Sequence, residues 1–337
     1  MKLPTYTELK DILQITSQQS AFIQQSRQTI KNILNADDKR LLLIVGPCSI
    51  HDITSAKEFA MRLKMLASTL SHHFFLVMRV YCEKPRTLTG WKGFLYDPFL
   101  DGSHQIKFGI SQTRQLLLDL ADLGVPAATE FLDPLTTCYY EDLISWGSIG
   151  ARTSSSQTHR QLASSLSMAI GIKNGIAGNT SSAIEGVIAA SNPHTYIGID
   201  NEGMKSILNS TGNPDTHIVL RGGEAGPNYH PDCIQEAMIK LEQAKLPIRL
   251  IVDCSHHNSN KRPLEQITVF KNVLQQVTEG NQGIRGFMVE SHLHSDNQIL
   301  TEDPKQLKYG ISITDPCLDW EKTKELLLRA SRSLEGV

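Results

Sequence analysis

LLLIVGPC, residues 41–48, is a nearly continuous apolar run that ends on a thiol. A buried strand needs an apolar body, whereas its solvent-facing tip does not. The same form recurs along the chain: FFLVM runs into Arg79, AAT into Glu130, SIGA into Arg152, GI into Lys173, HIVL into Arg221, RLIVD towards His256, and GFMV into Glu290. Helix-patterned segments separate these runs, which argues for parallel βαβ units. Eight buried strands whose reactive tips converge on one place predict a (β/α)8 TIM barrel, in which catalytic groups stand at the C-terminal ends of several strands.

Two pieces fall outside that rhythm. Residues 1–38 are polar and helix-biased, with Phe22, Ile23, Ile30 and Ile33 at helical spacing. They predict an N-terminal helical extension for oligomerisation or regulation, packed on a neighbour or across the barrel bottom, with the catalytic barrel occupying 39–337. HTYIGIDNEGMKSILN, from residue 194, holds two strand-like runs around a DNEG turn and predicts an inserted β-hairpin at about 195–210. Thr54 is expected to cap the helix beginning ITSAKEF. The segment 82–103 reads as a long loop, and loops of that length in a compact domain are usually functional or disordered.

Composition sets the class. The chain has 337 residues, 40% of them hydrophobic, which is enough for a large core. No apolar stretch reaches the ~20 residues that cross a bilayer, so no membrane partner is expected. A net charge of −2 gives no global reason to bind nucleic acid. The start, MKLPTYTELKD, lacks the basic and apolar regions of a secretory leader. The six cysteines show no CxxC pair, so they are expected as reduced thiols in the cytoplasm.

Two constellations carry chemistry. Cys48, His256, Glu290 and Asp315 lie just beyond predicted strand ends. Together, a thiol, an imidazole and two carboxylates suit one divalent ion, with no sharp choice among manganese, iron, cobalt, copper and zinc. Each has a plainer reading alone: Cys48 as a small buried hydrophobe, His256 as a loop histidine, Asp315 before Pro316 as a turn former. Glu290, directly after GFMV, is harder to dismiss, because a carboxylate at an apolar strand end needs a partner.

The second constellation is Arg79, Lys84, Arg86, Lys92, Arg152, Lys173 and Arg221. Two such charges ~4 Å apart interact by about 4 kcal/mol at an effective dielectric of 20, so crowding them requires anions. Glu83, Glu130, Asp133 and Glu224 supply some in a salt-bridge reading; a phosphorylated or carboxylated substrate supplies the rest in a functional one. KPRTLTGWKG at 84–93 adds the Thr87 hydroxyl and a permissive Gly90. Gly222 and Gly223, after Arg221, let backbone N–H groups approach an anion.

GPCSIHD, MRVYCEKPRT, GWKG, GARTSSSQTHR, KNG, GNPDTHIVLRGG, VDCSHHNSNK, VESHLHSDNQ and YGISITDPC occur in that order from about residue 41 to 320. In these the chain resembles the type I 3-deoxy-D-arabino-heptulosonate 7-phosphate (DAHP) synthases of the enterobacterial feedback-regulated group. The resemblance implies condensation of phosphoenolpyruvate with erythrose 4-phosphate, the first step of the shikimate pathway. It implies Cys48, His256, Glu290 and Asp315 as metal ligands, with Lys84, Cys48, His256 and Asp315 as the catalytic set. Arg79, Lys84, Arg152, Lys173 and Arg221 line the phosphoenolpyruvate site. Arg86 and Thr87 hold the aldose phosphate, with Lys84 reaching it, and Lys92 and Glu130 lie in the same segments. It further implies an aromatic amino-acid effector and a homodimer or homotetramer. The family commonly reads KNGTDG where this chain has KNGIAG at 173–178. The alternatives weighed are the sister synthase acting on arabinose 5-phosphate and a metal-dependent sugar-phosphate aldolase.

Overall fold

The computed structural model describes residues 2–86, 88–301 and 303–335. Two helices come first, α1 (Tyr6–Ile12) and α2 (Ser17–Leu34). The core then alternates: β1 (Leu41–Gly46), α3 (Ile53–Leu70), β2 (Phe74–Arg79), α4 (Ile106–Leu123), β3 (Ala127–Glu130), the short α5 (Pro134–Thr137), β4 (Trp146–Ile149), α6 (Gln157–Ser165), β5 (Ala169–Lys173) and α7 (Ser181–Ala190). A hairpin of β6 (Thr195–Ile199) and β7 (Lys205–Asn209) precedes β8 (His217–Leu220), α8 (Pro231–Gln243), β9 (Leu250–Asp253), α9 (Glu265–Thr278), β10 (Ile284–Glu290) and α10 (Trp320–Ser333). Strands β1, β2, β3, β4, β5, β8, β9 and β10 close in that order into a parallel barrel, the (β/α)8 fold expected from the strand pattern.

β1 is buried at every position because it is covered on both faces. Leu41, Leu43 and Val45 face the helices and share the outer core with Phe59, Leu63 and Leu327. Leu42 and Ile44 face the barrel interior with Val77, Ala128, Trp146, Ala169, Val219, Ile251 and Met288. Trp146 is wholly buried there, and its indole Nε1 donates to His217 Nε2 at 3.2 Å. Gly171 makes room for it: a Cβ at that position would sit 2.5 Å from the Trp146 ring.

α2 closes the bottom of the barrel. Its Ile30, Ile33 and Leu34 join the interior cluster, so the extension and the barrel share one core. Arg27 fastens it from the side: Nε donates to the Ile144 carbonyl at 2.8 Å, and the two terminal nitrogens donate to Glu141 O and Ser167 Oγ. α1 meets the hairpin, Thr7 N donating to Asn201 O at 3.2 Å. Asp52, not Thr54, caps α3. Its carboxylate accepts from the Thr54 and Ser55 amides at 2.9 and 3.1 Å, a reach that the shorter Thr54 side chain, already inside the helix, lacks.

The long connection after β2 is held by its own backbone. Lys84 N donates to Lys92 O at 2.9 Å, and Leu95 N donates to Cys82 O at 3.0 Å. Beneath it, the buried Glu83 carboxylate accepts from the Thr136 hydroxyl and, at 3.4 Å, from Asp133 N. Asp133 in turn accepts from Tyr96 OH at 2.9 Å.

Replacing Ile33 by alanine empties a fully buried position between α2 and the barrel floor. The expected cost is about 2–5 kcal/mol in urea unfolding; a change within 0.5 kcal/mol contradicts the plugged-barrel account.

Burial, together with the Asp133 carboxylate, pushes the Glu83 carboxyl up from 4.5 to about 7, against the pull of the Thr136 hydroxyl. Between those two values the unfolded chain has released the proton and the folded chain keeps it. Stability should therefore fall as pH rises through that window, by roughly 3 kcal/mol from this group. In Glu83→Gln that component disappears. Stability–pH curves of the two proteins that run parallel from pH 4.5 to 8 would refute this.

Candidate active site

The period-two register of the barrel interior runs straight into the site. From Ile44 the interior face continues through Gly46 to Cys48. Likewise Val77 leads to Arg79, Ala128 to Glu130, Trp146 through Ser148 and Gly150 to Arg152, Ala169 through Gly171 to Lys173, Val219 to Arg221, Ile251 to Asp253, and Met288 to Glu290. Parallel strands point the same way, so these side chains crowd one end of the barrel.

Two buried ion pairs organise the floor. Arg79 has no exposed side-chain surface, and Glu290 has 1%; their nearest charged atoms are 2.9 Å apart. Arg79 also donates to the Pro47 carbonyl at 3.3 Å, and its guanidinium lies 4.0 Å from the Tyr81 ring centre. Lys173 Nζ donates to Glu130 Oε2 at 2.7 Å. Burial opposes ionisation of both partners, yet the pairing wins: Glu130 is held below the ordinary carboxylate range and Lys173 above the ordinary amine range.

Above that floor, a cleft is lined by Lys84, Glu130, Arg152, Lys173, Arg221 and His256. Tyr81, Pro85 and Ile176 give its walls an apolar part. Ile176 belongs to the KNGIAG segment, whose backbone pairs with the RGG segment: Glu224 N donates to Ile176 O at 3.0 Å.

Cys48, Glu290 and Asp315 bring one ligand atom each within 4.8 Å of one another. His256 approaches the same place, its Nε2 3.7 Å from Glu290 Oε1. Its backbone adopts φ 52°, a left-handed conformation that costs a non-glycine residue of order 1 kcal/mol and here turns the ring back towards the barrel. His256 Nδ1 lies 2.8 Å from Asp253 Oδ2 and 2.8 Å from Ser255 Oγ, which leaves Nε2 for a ligand. Lys84 Nζ donates to Cys48 Sγ at 3.1 Å and to Cys48 O at 3.0 Å. Burial and Glu290 raise the Cys48 thiol despite Lys84. A buried thiol beside two carboxylates and an imidazole fits a divalent transition ion, whose charge ionises the sulfur, better than magnesium or calcium, which take oxygen ligands.

The other expected residues stand elsewhere. Arg86 is exposed and donates from Nε to the Trp91 carbonyl at 2.7 Å, within its own loop. Lys92 is exposed, its carbonyl accepting from Lys84 N. Neither lines the cleft, and Thr87 lies outside the described residues. Arg79 is beneath the cleft rather than on its wall. Three residues were not anticipated. Asp253 is wholly buried, and although burial opposes its charge, His256, Lys173 and Arg79 hold it strongly ionised. The Tyr81 ring centre lies 4.0 Å from the Arg79 guanidinium and 5.5 Å from Lys173 Nζ. His257 contacts Arg221. The interior register would have found Asp253, two residues after Ile251.

The profile of the DAHP synthetase I family matches residues 13–328. The Tyr-sensitive phospho-2-dehydro-3-deoxyheptonate aldolase of Escherichia coli (strain K12) is 47% identical over 334 residues, covering 99% of this chain and 94% of the relative. The Trp-sensitive enzyme of the same organism is 45% identical over 334 residues, covering 99% and 95%. A solved structure of phospho-2-dehydro-3-deoxyheptonate aldolase from Francisella tularensis SCHU S4 superposes with a TM-score of 0.95 at 40% identity, covering 98% of this chain and 97% of that one. A family profile spanning nearly the whole chain, with relatives this similar over their full length, means that the chain belongs to the DAHP synthetase I family.

Proposed function

We propose that this chain condenses phosphoenolpyruvate with D-erythrose 4-phosphate and water, giving DAHP and phosphate, the first step of the shikimate pathway. The observation that carries the reading is the meeting, at one barrel end, of a cationic cleft and a sulfur–carboxylate donor set. Arg152, Lys173 and Arg221 bind the phosphate and carboxylate of phosphoenolpyruvate, forked guanidinium groups suiting both anions. Arg79 acts from below, holding Glu290 in place. The aldose phosphate is assigned to Arg86, Thr87 and Lys92, which follow Lys84 closely in sequence, Arg86 and Lys92 standing exposed outside the cleft.

Cys48, His256, Glu290 and Asp315 would hold one divalent metal ion, which when bound supplies Lewis-acid polarisation of the aldehyde. Carbon 3 of the enol phosphate attacks the aldehyde carbon, and the new C–C bond leaves positive charge at carbon 2, shared with the bridging oxygen. Lys84 is kept charged, since Cys48, Glu290 and Asp315 outweigh the effect of its burial, and it gives a proton to the aldehyde oxygen. Glu130, ionised beside Lys173, orients the water that adds to carbon 2. The C–O bond to phosphate then breaks, leaving the ketone; of the water's two protons one returns to Lys84 and the other leaves on the phosphate, whose departing charge Arg152 and Arg221 stabilise.

A second cavity, between α1, α6 and the β6–β7 hairpin, is lined by Tyr6, Leu162, Ser165, Leu166, Tyr196 and Asn209. Its mixture of apolar wall and hydroxyls suits an aromatic amino acid, and relatives are named for sensitivity to tyrosine and to tryptophan. We assign the extension, residues 1–38, and the hairpin to this regulation. The exposed cross-strand pair Ile197 and Ile207 supports assembly into a homodimer or homotetramer. All six cysteines are free, which supports a reducing compartment such as the cytoplasm. Among the described residues no helix is long and apolar enough to cross a membrane.

Phosphate release is the test. With manganese present, phosphate should appear only when phosphoenolpyruvate and erythrose 4-phosphate are both added, and exhaustive chelation should abolish it. Tyrosine, phenylalanine or tryptophan should slow it. Release from phosphoenolpyruvate alone, a preference for arabinose 5-phosphate, or full activity after chelation would reject the catalytic reading. Indifference to all three amino acids would reject the regulatory one.

A further inference from the structure

Arg221 is held in two separate ways. Its backbone belongs to a cage of buried asparagines. Arg221 N donates to Asn174 Oδ1 at 2.8 Å, and Gly222 N donates to Asn228 Oδ1 at 2.7 Å. Asn228 Nδ2 donates to Asn174 Oδ1 at 3.1 Å, and Asn258 Nδ2 donates to Leu220 O at 3.2 Å. Gly222 takes φ 70°, and a Cβ there would lie 2.7 Å from Asn258 N, so the chain turns here only because the residue is glycine. This cage fixes where the Arg221 side chain begins.

The cage does not fix where the guanidinium points. Among the described residues, the hydrogen bonds of the guanidinium are a long 3.4 Å bond from one terminal nitrogen to Gly222 O and a 2.8 Å bond from the other to His257 Nδ1. A guanidinium only donates, so His257 Nδ1 is the acceptor and its proton is on Nε2. Both residues line the cleft. We propose that His257 is a positioning residue for the reaction: its imidazole turns the Arg221 guanidinium towards the bound phosphoenolpyruvate and keeps it there before substrate arrives. An arginine side chain has large rotamer freedom, and a preset orientation removes the cost of ordering it on binding. The inference rests on the reading of Arg221 as a phosphoenolpyruvate ligand.

The consequence is selective. Loss of the acceptor should weaken phosphoenolpyruvate and leave erythrose 4-phosphate untouched, because the aldose is bound elsewhere. The experiment compares His257→Leu, His257→Asn and Arg221→Ala by steady-state kinetics, with metal content measured on each purified protein. His257→Leu should raise KM for phosphoenolpyruvate about tenfold, the order expected for one hydrogen bond to a charged group. KM for erythrose 4-phosphate should stay within twofold, and bound metal should be unchanged. Asn places an amide oxygen near the position of Nδ1, so His257→Asn should recover to within threefold of the parent. The inference is overturned if His257→Leu retains the parental KM while Arg221→Ala does not. Equal rises for both substrates, absence of rescue by Asn, or loss of metal through the adjacent His256 also overturn it. An unchanged KM for phosphoenolpyruvate in Arg221→Ala would instead remove the underlying reading of the site.

Discussion

Closing eight parallel strands into a barrel forces their tips into one small volume, and in this protein nearly every tip is charged. Charges in a dry interior persist only when paired, and breaking such a pair by removing one partner typically costs 3–5 kcal/mol. The structure meets that constraint by joining Arg79 to Glu290 and Lys173 to Glu130, each pair reaching over one intervening strand. These pairs link β2 with β10 and β5 with β3. They settle which groups form the floor, and the cleft and the donor set are built on top of them.

The two ends of the barrel are therefore specialised. At the bottom, α2 inserts isoleucines into the same apolar cluster that fills the interior, and Arg27 locks the helix to the connection before β4. At the top, the interior face changes from apolar residues to Cys, Arg, Glu, Lys and Asp within two to six residues along each strand. Cys48 and Glu290 come from β1 and β10, which are neighbours at the closure, so two proposed ligands distant in sequence stand side by side. The cations come from the strands around the rest of the ring. In the proposed reaction, an acidic, sulfur-containing side facing a cationic side would place the electrophile and the anionic nucleophile on opposite walls of one cleft.

Much of this was legible in the sequence because period two is a strong signal. LLLIVG leads to Cys48 and FFLVM to Arg79 by simple alternation, and the same rule positions Glu130, Lys173, Arg221 and Glu290. Asp253 obeys it equally, two residues after Ile251, and its Oδ2 lies 2.8 Å from His256 Nδ1. Alternation says nothing once the chain leaves the strand. Arg86 and Lys92 belong by composition to the cationic set, yet both stand exposed outside the cleft, Arg86 bonded from its side chain to the Trp91 carbonyl and Lys92 accepting at its carbonyl from Lys84 N. Likewise, the contact of His257 with Arg221 depends on the left-handed turn at His256, which no periodicity announces. The cap of α3 shows the same limit on a smaller scale, since Asp52 and Thr54 are both good capping residues and only the start of the helix decides between them.

X-ray absorption at the metal edge of the zinc- or manganese-loaded protein tests the central claim most directly. The account expects one sulfur in the first coordination shell, at about 2.3 Å for zinc, together with one imidazole and carboxylate oxygens. That sulfur should vanish in Cys48→Ser. A shell of oxygen and nitrogen alone in the unaltered protein, or a sulfur that survives the substitution, would contradict the assignment of the strand tips on which the mechanism is built.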